Sequence, residues 1–184
     1  MTALPGLILL APRRFEDDRG YFRELWNLER AAEQGLPETF VQTNHSRSER
    51  DVLRGLHFQR THPQGKCVTV VRGDVLDVVV DLRPGSATFG QSAGFTLGDS
   101  TGHGLYVPPG FAHGFLVLSD VADVVYQTTA PYRPQDEGAL RWDDPSALRW
   151  WPAHVRPRLS AKDAAAPSLS DLGPLDLPRG ESLR

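Results

Sequence analysis

The residues best suited to chemistry lie in the segment Leu53–Gln59 and just beyond it. His57 stands between large apolar residues, with Arg54 three positions before it and Lys66 nine positions after it. These spacings place an imidazole and two cationic groups on neighbouring extended segments. Burying such groups is costly unless they are paired, so the pattern favours a reactive site. The alternative is a surface strand on which Arg54 and Lys66 serve solubility and His57 is a satisfied core histidine.

A second signal ends at His113. Gly102 is followed by five residues, then by Pro108-Pro109-Gly110, then by two residues and His113. This spacing resembles the second cupin motif, in which a strand enters a tight turn and a histidine returns to the barrel interior. The first cupin motif has two histidines and a glutamate. Here His57 takes the first histidine position, Gln59 the second, and Lys66 roughly that of the glutamate.

The lysine bears on whether this site holds a metal ion. A divalent ion is bound by neutral imidazole and carboxylate groups, and an ammonium group among them would repel it. We therefore expect no catalytic metal. Lys66 and Arg54 can stabilise a developing oxyanion without one.

Length and composition limit the remaining possibilities. A chain of 184 residues suits one domain spanning 1–184, with a C-terminal wrap near 159–167 that gives way to a mobile end. The net charge of −3 argues against a general nucleic-acid binder. Cys67 is the sole cysteine, which suits a reducing compartment, and we expect the cytoplasm. The apolar run 7–11 is too short for a signal peptide, and no segment approaches a membrane span.

The stretches around these residues predict a molecule made mainly of short strands. Apolar segments separated by glycine- and proline-containing turns are typical of an all-β sandwich or barrel. One helix is predicted over 28–34, capped by Asn27. Because side chains alternate along a strand, Gln42 and Asn44 share one face with Ser46. The predicted strands include residues 7–10, 21–26, 40–46, 67–71, 75–82, 90–97, 104–107, 114–118 and 121–129.

Ordered motifs from about Phe15 to Pro167 resemble those of the dTDP-4-dehydrorhamnose 3,5-epimerase family of nucleotide-sugar cupins. The resemblance implies a cupin-type jelly-roll barrel with one or two short helices. It also implies a homodimer in which the 7–10 segment pairs with the partner's sheet. The motifs are Asp18-Arg19-Gly20-Tyr21-Phe22-x-Glu24, Gln42-x-Asn44-x-Ser46, Leu53-Arg54-Gly55-Leu56-His57, Lys66, Val79-Val80-Asp81-Leu82-Arg83, Pro109-Gly110-Phe111-Ala112-His113-Gly114-Phe115, Tyr126 with Tyr132, and Leu159-Ser160-x-Lys162-Asp163.

The resemblance implies cofactor-free inversion of carbons 3 and 5 of dTDP-4-dehydro-6-deoxy-D-glucose, through an enolate. His57 suits the base, because imidazole is poised near neutral pH. Asp163 matches the carboxylate that orients this histidine. Lys66 would stabilise the enolate oxygen. Tyr126 would return the proton from the other face, which requires the phenol to be held close because its ordinary pKa is about 10.

The resemblance also implies a set of residues that bind the nucleotide and the sugar. Cationic side chains among them suit the diphosphate, and the amides Gln42 and Asn44 suit a pyrimidine edge. The set comprises Arg19, Glu24, Gln42, Asn44, Arg54, His113, Tyr132, Glu137 and Lys162.

Other interpretations remain open at this stage. Tyr126 could be a packed core tyrosine, and Tyr132 could hold a proline-rich loop. Cys67 is interpreted as a small buried hydrophobe rather than a nucleophile. We expect solvent exposure at the four other histidines, His45, His62, His103 and His154.

Two rival functions use the same residues. One is a single-carbon epimerase or a ketoisomerase acting on a related dTDP-4-keto-6-deoxy sugar. The other is a sugar-binding cupin that keeps the pocket without turnover, although binding alone does not need an opposed acid and base.

Overall fold

The architecture is a sandwich of two five-stranded antiparallel sheets, seen in a computed structural model that describes residues 4–37 and 39–179. This confirms the predicted all-β, cupin-type jelly-roll fold. The elements are β1 (Ile8–Leu10), β2 (Arg14–Asp17), β3 (Gly20–Arg23), α1 (Leu28–Glu33), β4 (Gln42–Glu49), β5 (Leu53–Gln59), β6 (Lys66–Arg72), β7 (Asp74–Asp81), β8 (Ser92–Gly98), β9 (Gly104–Val107), β10 (Phe111–Val117), β11 (Val121–Thr128), β12 (Glu137–Ala139) and α2 (Ala161–Ala164).

The order of the strands decides which side chains can meet. The first sheet has the order β1-β9-β6-β11-β4, and the second has the order β12-β5-β10-β7-β8. In the second sheet, His113 of β10 lies directly opposite His57 of β5. The register shifts just after this pair, where Gly114 crosses the neighbouring strand. A Cβ at Gly114 would lie 2.5 Å from the carbonyl oxygen of Arg54, so this crossing needs glycine.

Three apolar clusters hold the sandwich together. The largest fills the space between the sheets and includes Val68, Leu97 and Leu105. A second covers the outer face of the second sheet, where Leu140 and Trp151 pack on β5, β7 and β10. Burying apolar surface on both faces of that sheet keeps its strands, and the polar residues they carry, in fixed positions.

The third cluster places α1 against the outer face of the first sheet. The Asn27 side chain accepts a hydrogen bond from the backbone N–H of Arg30 at 3.1 Å, which confirms the predicted cap. Ala31 and Leu36 then pack against Tyr106. Strand β3 ends at Arg23 rather than at the predicted residue 26. Trp26 instead packs edge-on against Phe40, with the ring centroids 4.9 Å apart.

The two ends of the chain pack on different sheets. Strand β1 pairs with β9 of its own chain and forms one edge of the first sheet. At the other end, the C-terminal wrap continues beyond residue 167, because Leu169, Leu172 and Leu177 pack on the second cluster. The ordered wrap expected near 159–167 is therefore longer than predicted, and residues 180–184, on which the predicted mobile end falls, lie outside the described residues. No helix within 4–37 and 39–179 is long and apolar enough to cross a membrane.

Candidate active site

A cavity of about 370 Å³ opens between the two sheets. It gathers His57, Tyr126, Lys66 and Asp163, together with seven of the predicted binding residues. Those seven are Gln42, Asn44, Arg54, His113, Tyr132, Glu137 and Lys162.

Each wall of the cavity comes from a different sheet. Strands β4, β6 and β11 of the first sheet contribute Lys66 and Tyr126, along with the shared face of β4. Strands β5, β10 and β12 of the second sheet contribute His57, His113 and Glu137. The imidazole of His57 and the phenol of Tyr126 therefore belong to opposing walls.

A short hydrogen bond joins His57 to the C-terminal wrap. His57 Nε2 lies 2.6 Å from Asp163 Oδ1, and Asp163 is 5% exposed. Helix α2 fixes this carboxylate, since the capping Ser160 hydroxyl accepts a hydrogen bond from the Asp163 N–H at 3.1 Å. Burial opposes ionisation of Asp163, but the hydrogen bond and charge of His57 outweigh it and lower the pKa of the carboxyl. The pair therefore holds an ionised carboxylate against one ring nitrogen.

Lys66 is a buried amine at the base of the first wall. Its Nζ donates to the carbonyl oxygen of His57 at 3.2 Å. Burial lowers the pKa of Lys66 to about 8, against the opposing attraction of Asp77 and Glu137. An ammonium group poised near neutrality can stabilise a negative oxygen or exchange a proton with it.

Asp77 is a functional candidate that the sequence analysis missed. Its carboxylate is fully buried and lies 2.8 Å from His113 Nε2, which lines the cavity. It is also the charge that most favours the ammonium form of Lys66. A carboxylate in the otherwise apolar run of β7 was the available signal, because such a group is buried only with a partner.

The two tyrosines occupy different environments. Tyr126 is half-buried, and it both lines the cavity and packs on the core between the sheets. Burial raises the pKa of Tyr126, so its hydroxyl stays protonated near neutral pH. Tyr132 lies at the rim and donates to Glu137 Oε2 at 2.6 Å. This hydrogen bond raises the pKa of Tyr132 to about 12. Lys162 also donates to Glu137.

Part of the predicted pyrimidine-binding pair is engaged within the protein. Gln42 Oε1 accepts a hydrogen bond from the backbone N–H of Tyr132 at 2.8 Å, and its Nε2 donates to Asn44 Oδ1 at 2.8 Å. Gln42 thus links β4 to the Tyr132 loop, and both ends of its amide are engaged within the protein.

Arg19 and Glu24 are the two predicted binding residues that do not reach this cavity. Arg19 lies in the β2–β3 turn and pairs with Asp17 at the surface. Glu24 follows β3 and pairs with Arg30 of α1 at 2.8 Å, beside a separate cavity of about 190 Å³. They do not line this chain's own cavity, because the hairpin folds back on its own turn and on α1, and their contact with the nucleotide and sugar stays a prediction.

Other expectations concerned metal ligands and reactive groups. Within residues 4–37 and 39–179, no three potential metal-binding His, Cys, Asp or Glu side chains group together. Cys67 is buried, which raises the pKa of its thiol to about 11 and agrees with its interpretation as a hydrophobe. His45 and His62 are at least half exposed, although each pairs with a buried aspartate.

Comparison with known proteins matches this chain to one protein family. The family model described as dTDP-4-dehydrorhamnose 3,5-epimerase matches residues 1–171. A Neisseria gonorrhoeae protein of that name is 50% identical over 164 residues, 89% of this chain, which spans half of that relative's length.

Solved structures agree with this match. A Legionella pneumophila dTDP-6-deoxy-D-glucose-3,5-epimerase in complex with dTDP-4-keto-L-rhamnose is 43% identical, with a TM-score of 0.92 over 97% of this chain and 95% of that one. A Streptomyces bikiniensis 3′-monoepimerase in complex with dTDP-quinovose is 33% identical, with a TM-score of 0.85 over 92% of this chain and 86% of that one.

The fold and the cavity together define an isomerase of the cupin class. The cavity places the His57–Asp163 pair near the buried amine of Lys66. The chain belongs to the dTDP-4-dehydrorhamnose 3,5-epimerase family.

The buried amine provides a test of this electrostatic description. The chain has two lysines, Lys66 and Lys162, so their Nζ and Cε signals can be followed by NMR. We expect Lys66 to titrate with a midpoint near pH 8. Asp77→Asn should move the midpoint lower, because it removes the negative charge that favours the ammonium form. Asp120→Asn, at a surface carboxylate, should leave the midpoint unchanged. A Lys66 midpoint in the ordinary lysine range would contradict the description.

Proposed function

We propose that this chain inverts carbons 3 and 5 of dTDP-4-dehydro-6-deoxy-D-glucose and yields dTDP-4-dehydro-L-rhamnose. The observation that carries the proposal is the pairing of His57 with Asp163 on one wall of the cavity, opposite the Tyr126 phenol on the other. Family membership supports it, because the family model and the Neisseria gonorrhoeae relative carry the name of this activity.

The proposed reaction begins with proton removal beside the ketone. His57 takes the proton from carbon 3 or carbon 5, and the C–H electron pair forms an enolate. Asp163 stabilises the imidazolium that results, as the aspartate of a catalytic triad does. The Lys66 ammonium stabilises the negative enolate oxygen.

The second half of the reaction delivers a proton to the opposite face. Tyr126 gives its hydroxyl proton to the enolate carbon, which inverts that centre and leaves a phenolate. Its raised pKa keeps the hydroxyl protonated until the enolate forms, and the proton then moves because an enolate carbon is a stronger base than the phenolate. The imidazolium and the phenolate return to their resting states by exchanging protons with solvent through the open cavity. The same cycle at the other carbon completes the reaction.

Cations around the cavity suit the diphosphate of the nucleotide. Arg54 and Lys162 both line it, and Arg54 is oriented by a 2.9 Å hydrogen bond from its Nε to the Ser48 hydroxyl. A guanidinium and an ammonium group bind phosphate oxygens through charge-assisted hydrogen bonds.

A single-carbon epimerase is the second candidate. The 3′-monoepimerase from Streptomyces bikiniensis has the same fold at 33% identity, so architecture alone is compatible with inversion at one centre. The carbons that exchange their hydrogen with solvent are those that the bound sugar presents to His57 and Tyr126.

The cytoplasmic location remains a prediction based on the single buried Cys67.

The proposed assembly is a homodimer formed through the β2–β3 hairpin. The hairpin and Leu25, two residues beyond it, expose large apolar side chains, with Phe15 49%, Tyr21 45%, Phe22 69% and Leu25 43% exposed. Such a patch favours a protein partner. The hairpin also carries Arg19, a predicted binding residue that lies outside its own chain's cavity. A second copy would cover the patch and bring the hairpin near another cavity. Pairing through the edge strand β1, which the resemblance implied, remains a further prediction.

Variants at the base and the acid test the proposed reaction. The wild-type protein, incubated with dTDP-4-dehydro-6-deoxy-D-glucose in heavy water, should incorporate deuterium and invert the sugar. His57→Ala should reduce incorporation at both carbons by about 10³-fold, because it removes the base. Tyr126→Phe should still incorporate label at one carbon or both, through reversible abstraction, while inversion falls about 10²-fold.

Mass spectrometry and NMR read out label and configuration separately. Tyr106→Phe, on the outer face of the first sheet, is the matched control and should behave as the wild-type protein. Near-normal turnover in both the His57 and Tyr126 variants would show that the assignment is wrong.

Light scattering tests the proposed dimer. The wild-type protein should have about twice the 20.3 kDa mass of one chain. Phe22→Asp should shift the protein to the mass of one chain, because it places a charge in the apolar patch. Leu175→Asp, at a 75% exposed residue of the C-terminal wrap, should not. A dimeric Phe22→Asp variant would exclude this surface as the interface.

A further inference from the structure

Glutamine side chains hold the backbone of the loop that brings Tyr132 to the cavity. Gln64 Nε2 donates to the carbonyl oxygen of Ala130 at 2.7 Å, and Gln42 Oε1 accepts from the N–H of Tyr132 at 2.8 Å. Gln59 contacts the residues on both sides of Tyr132. Backbone groups from four consecutive residues, 130–133, are therefore engaged by side chains from outside the loop.

Gln59 is the central member of this set. Its Nε2 donates to the carbonyl oxygens of His62 at 2.8 Å and of Pro131 at 3.3 Å. Its Oε1 accepts from the N–H of Arg133 at 2.6 Å. Gln59 is 3% exposed, so its hydrogen bonds form away from water, where losing them is costly. Both ends of one amide thus fix the backbone that flanks Tyr132.

The side chain of Tyr132 does not supply this order by being buried. Tyr132 is 47% exposed and meets the protein at its hydroxyl, which donates to Glu137. A loop residue at a cavity rim loses conformational entropy when a ligand orders it, and that loss weakens binding. Because the backbone around Tyr132 is already held by hydrogen bonds, most of this conformational entropy is lost on folding, before the ligand binds.

The other end of the same loop is held by a second buried side chain. Asp136 accepts hydrogen bonds from the N–H groups of Thr61 and His62, each at 2.8 Å. Glu137, which follows Asp136, pairs with Gln59 across β12 and β5. Gln59 therefore contacts the backbone on both sides of the rim tyrosine and is also the strand partner of Glu137, whose carboxylate accepts the hydrogen bond of that tyrosine.

We propose that Gln59 is a positioning residue that sets Tyr132 and Glu137 for the nucleotide part of the substrate. The inference rests on the proposed function, and it assigns a task to the position that corresponds to the second histidine of the first cupin motif. Gln59 acts through the backbone of Pro131 and Arg133, while His57 and Tyr126 carry out the proton transfers and Lys66 stabilises the enolate oxygen. Its removal should weaken nucleotide binding far more than it slows the chemical steps.

Gln59→Met tests this with a side chain of similar length that makes no amide hydrogen bonds. Amide hydrogen exchange at Arg133 should accelerate at least tenfold, because its acceptor is lost. The Kd for thymidine diphosphate, measured by calorimetry, should rise about tenfold, while kcat at saturating substrate should stay within about threefold. Gln127→Met is the matched control, since adjacent Tyr126 faces the cavity and Gln127 faces the other side of β11. A lowered kcat with an unchanged Kd would overturn the proposal.

Gln59→Glu supplies a signature that general destabilisation would not produce. An ionised carboxylate still accepts from Arg133 but has no proton to donate to Pro131, whereas a protonated carboxyl has one. The Kd ratio of variant to wild type should therefore fall as the pH is lowered from about 8 to about 5.5, since burial raises the pKa of a carboxyl. A ratio that does not change over this range would overturn the proposal.

A double variant tests whether Gln59 acts through Tyr132. In the Tyr132→Ala background, Gln59→Met should add less than about twofold to the Kd, because the residue being positioned is gone. Fully additive effects would overturn the proposal. If the wild-type protein lacks epimerase activity, the proposed function fails, while hydrogen exchange and thymidine diphosphate affinity still decide the role of Gln59.

Discussion

The hydrogen bond between His57 and Asp163 is the constraint on which the rest of this structure depends. A buried carboxylate is tolerated only when paired, and breaking such a pair strands an uncompensated charge. The pair joins β5 to α2 across 106 residues of sequence. It therefore requires the C-terminal wrap to close over the second sheet. The apolar packing of Leu140 and Trp151 on that sheet supplies the stabilisation that brings Asp163 into place.

Charge in the cavity is arranged around this pair. Lys66 loses much of its affinity for a proton through burial, and Asp77 and Glu137 restore part of it. The result is an ammonium group that is retained near neutral pH and can stabilise a negative oxygen or give it a proton. Glu137 is in turn held ionised by Lys162 and Tyr132 against the cost of its burial. The two sheets thus hold groups of opposite charge at short range, which is the preorganisation that enolate chemistry needs.

The sequence predicted local features well, since they depend on near neighbours in the chain. The shared face of Gln42, Asn44 and Ser46 follows from strand alternation, and α1 follows from its Asn27 cap. The family motifs brought Asp163 to attention, because no local pattern connects it with a histidine so distant in sequence.

The features that were not predicted are tertiary. Asp77 looked like one polar residue in an apolar strand, and its role appears only when β10 places His113 beside it. Arg19 and Glu24 matched family motifs, yet the hairpin that carries them folds away from the cavity. In the sequence, Gln59 stands out only as a glutamine at the position of a cupin-motif histidine. Its contacts with Pro131 and Arg133 could not be predicted, because they depend on a loop more than 70 residues later in the chain.

The most direct test of the account is the deuterium exchange rate of the Asp163→Asn variant with the dTDP-4-keto sugar. Asparagine preserves the shape of the carboxylate but cannot stabilise an imidazolium, and it favours the wrong tautomer of His57. We expect exchange at both carbons to fall on the order of 10³- to 10⁴-fold, with the fold retained by circular dichroism. Exchange within a few-fold of the wild-type rate would contradict the central claim that this pair carries the proton transfer.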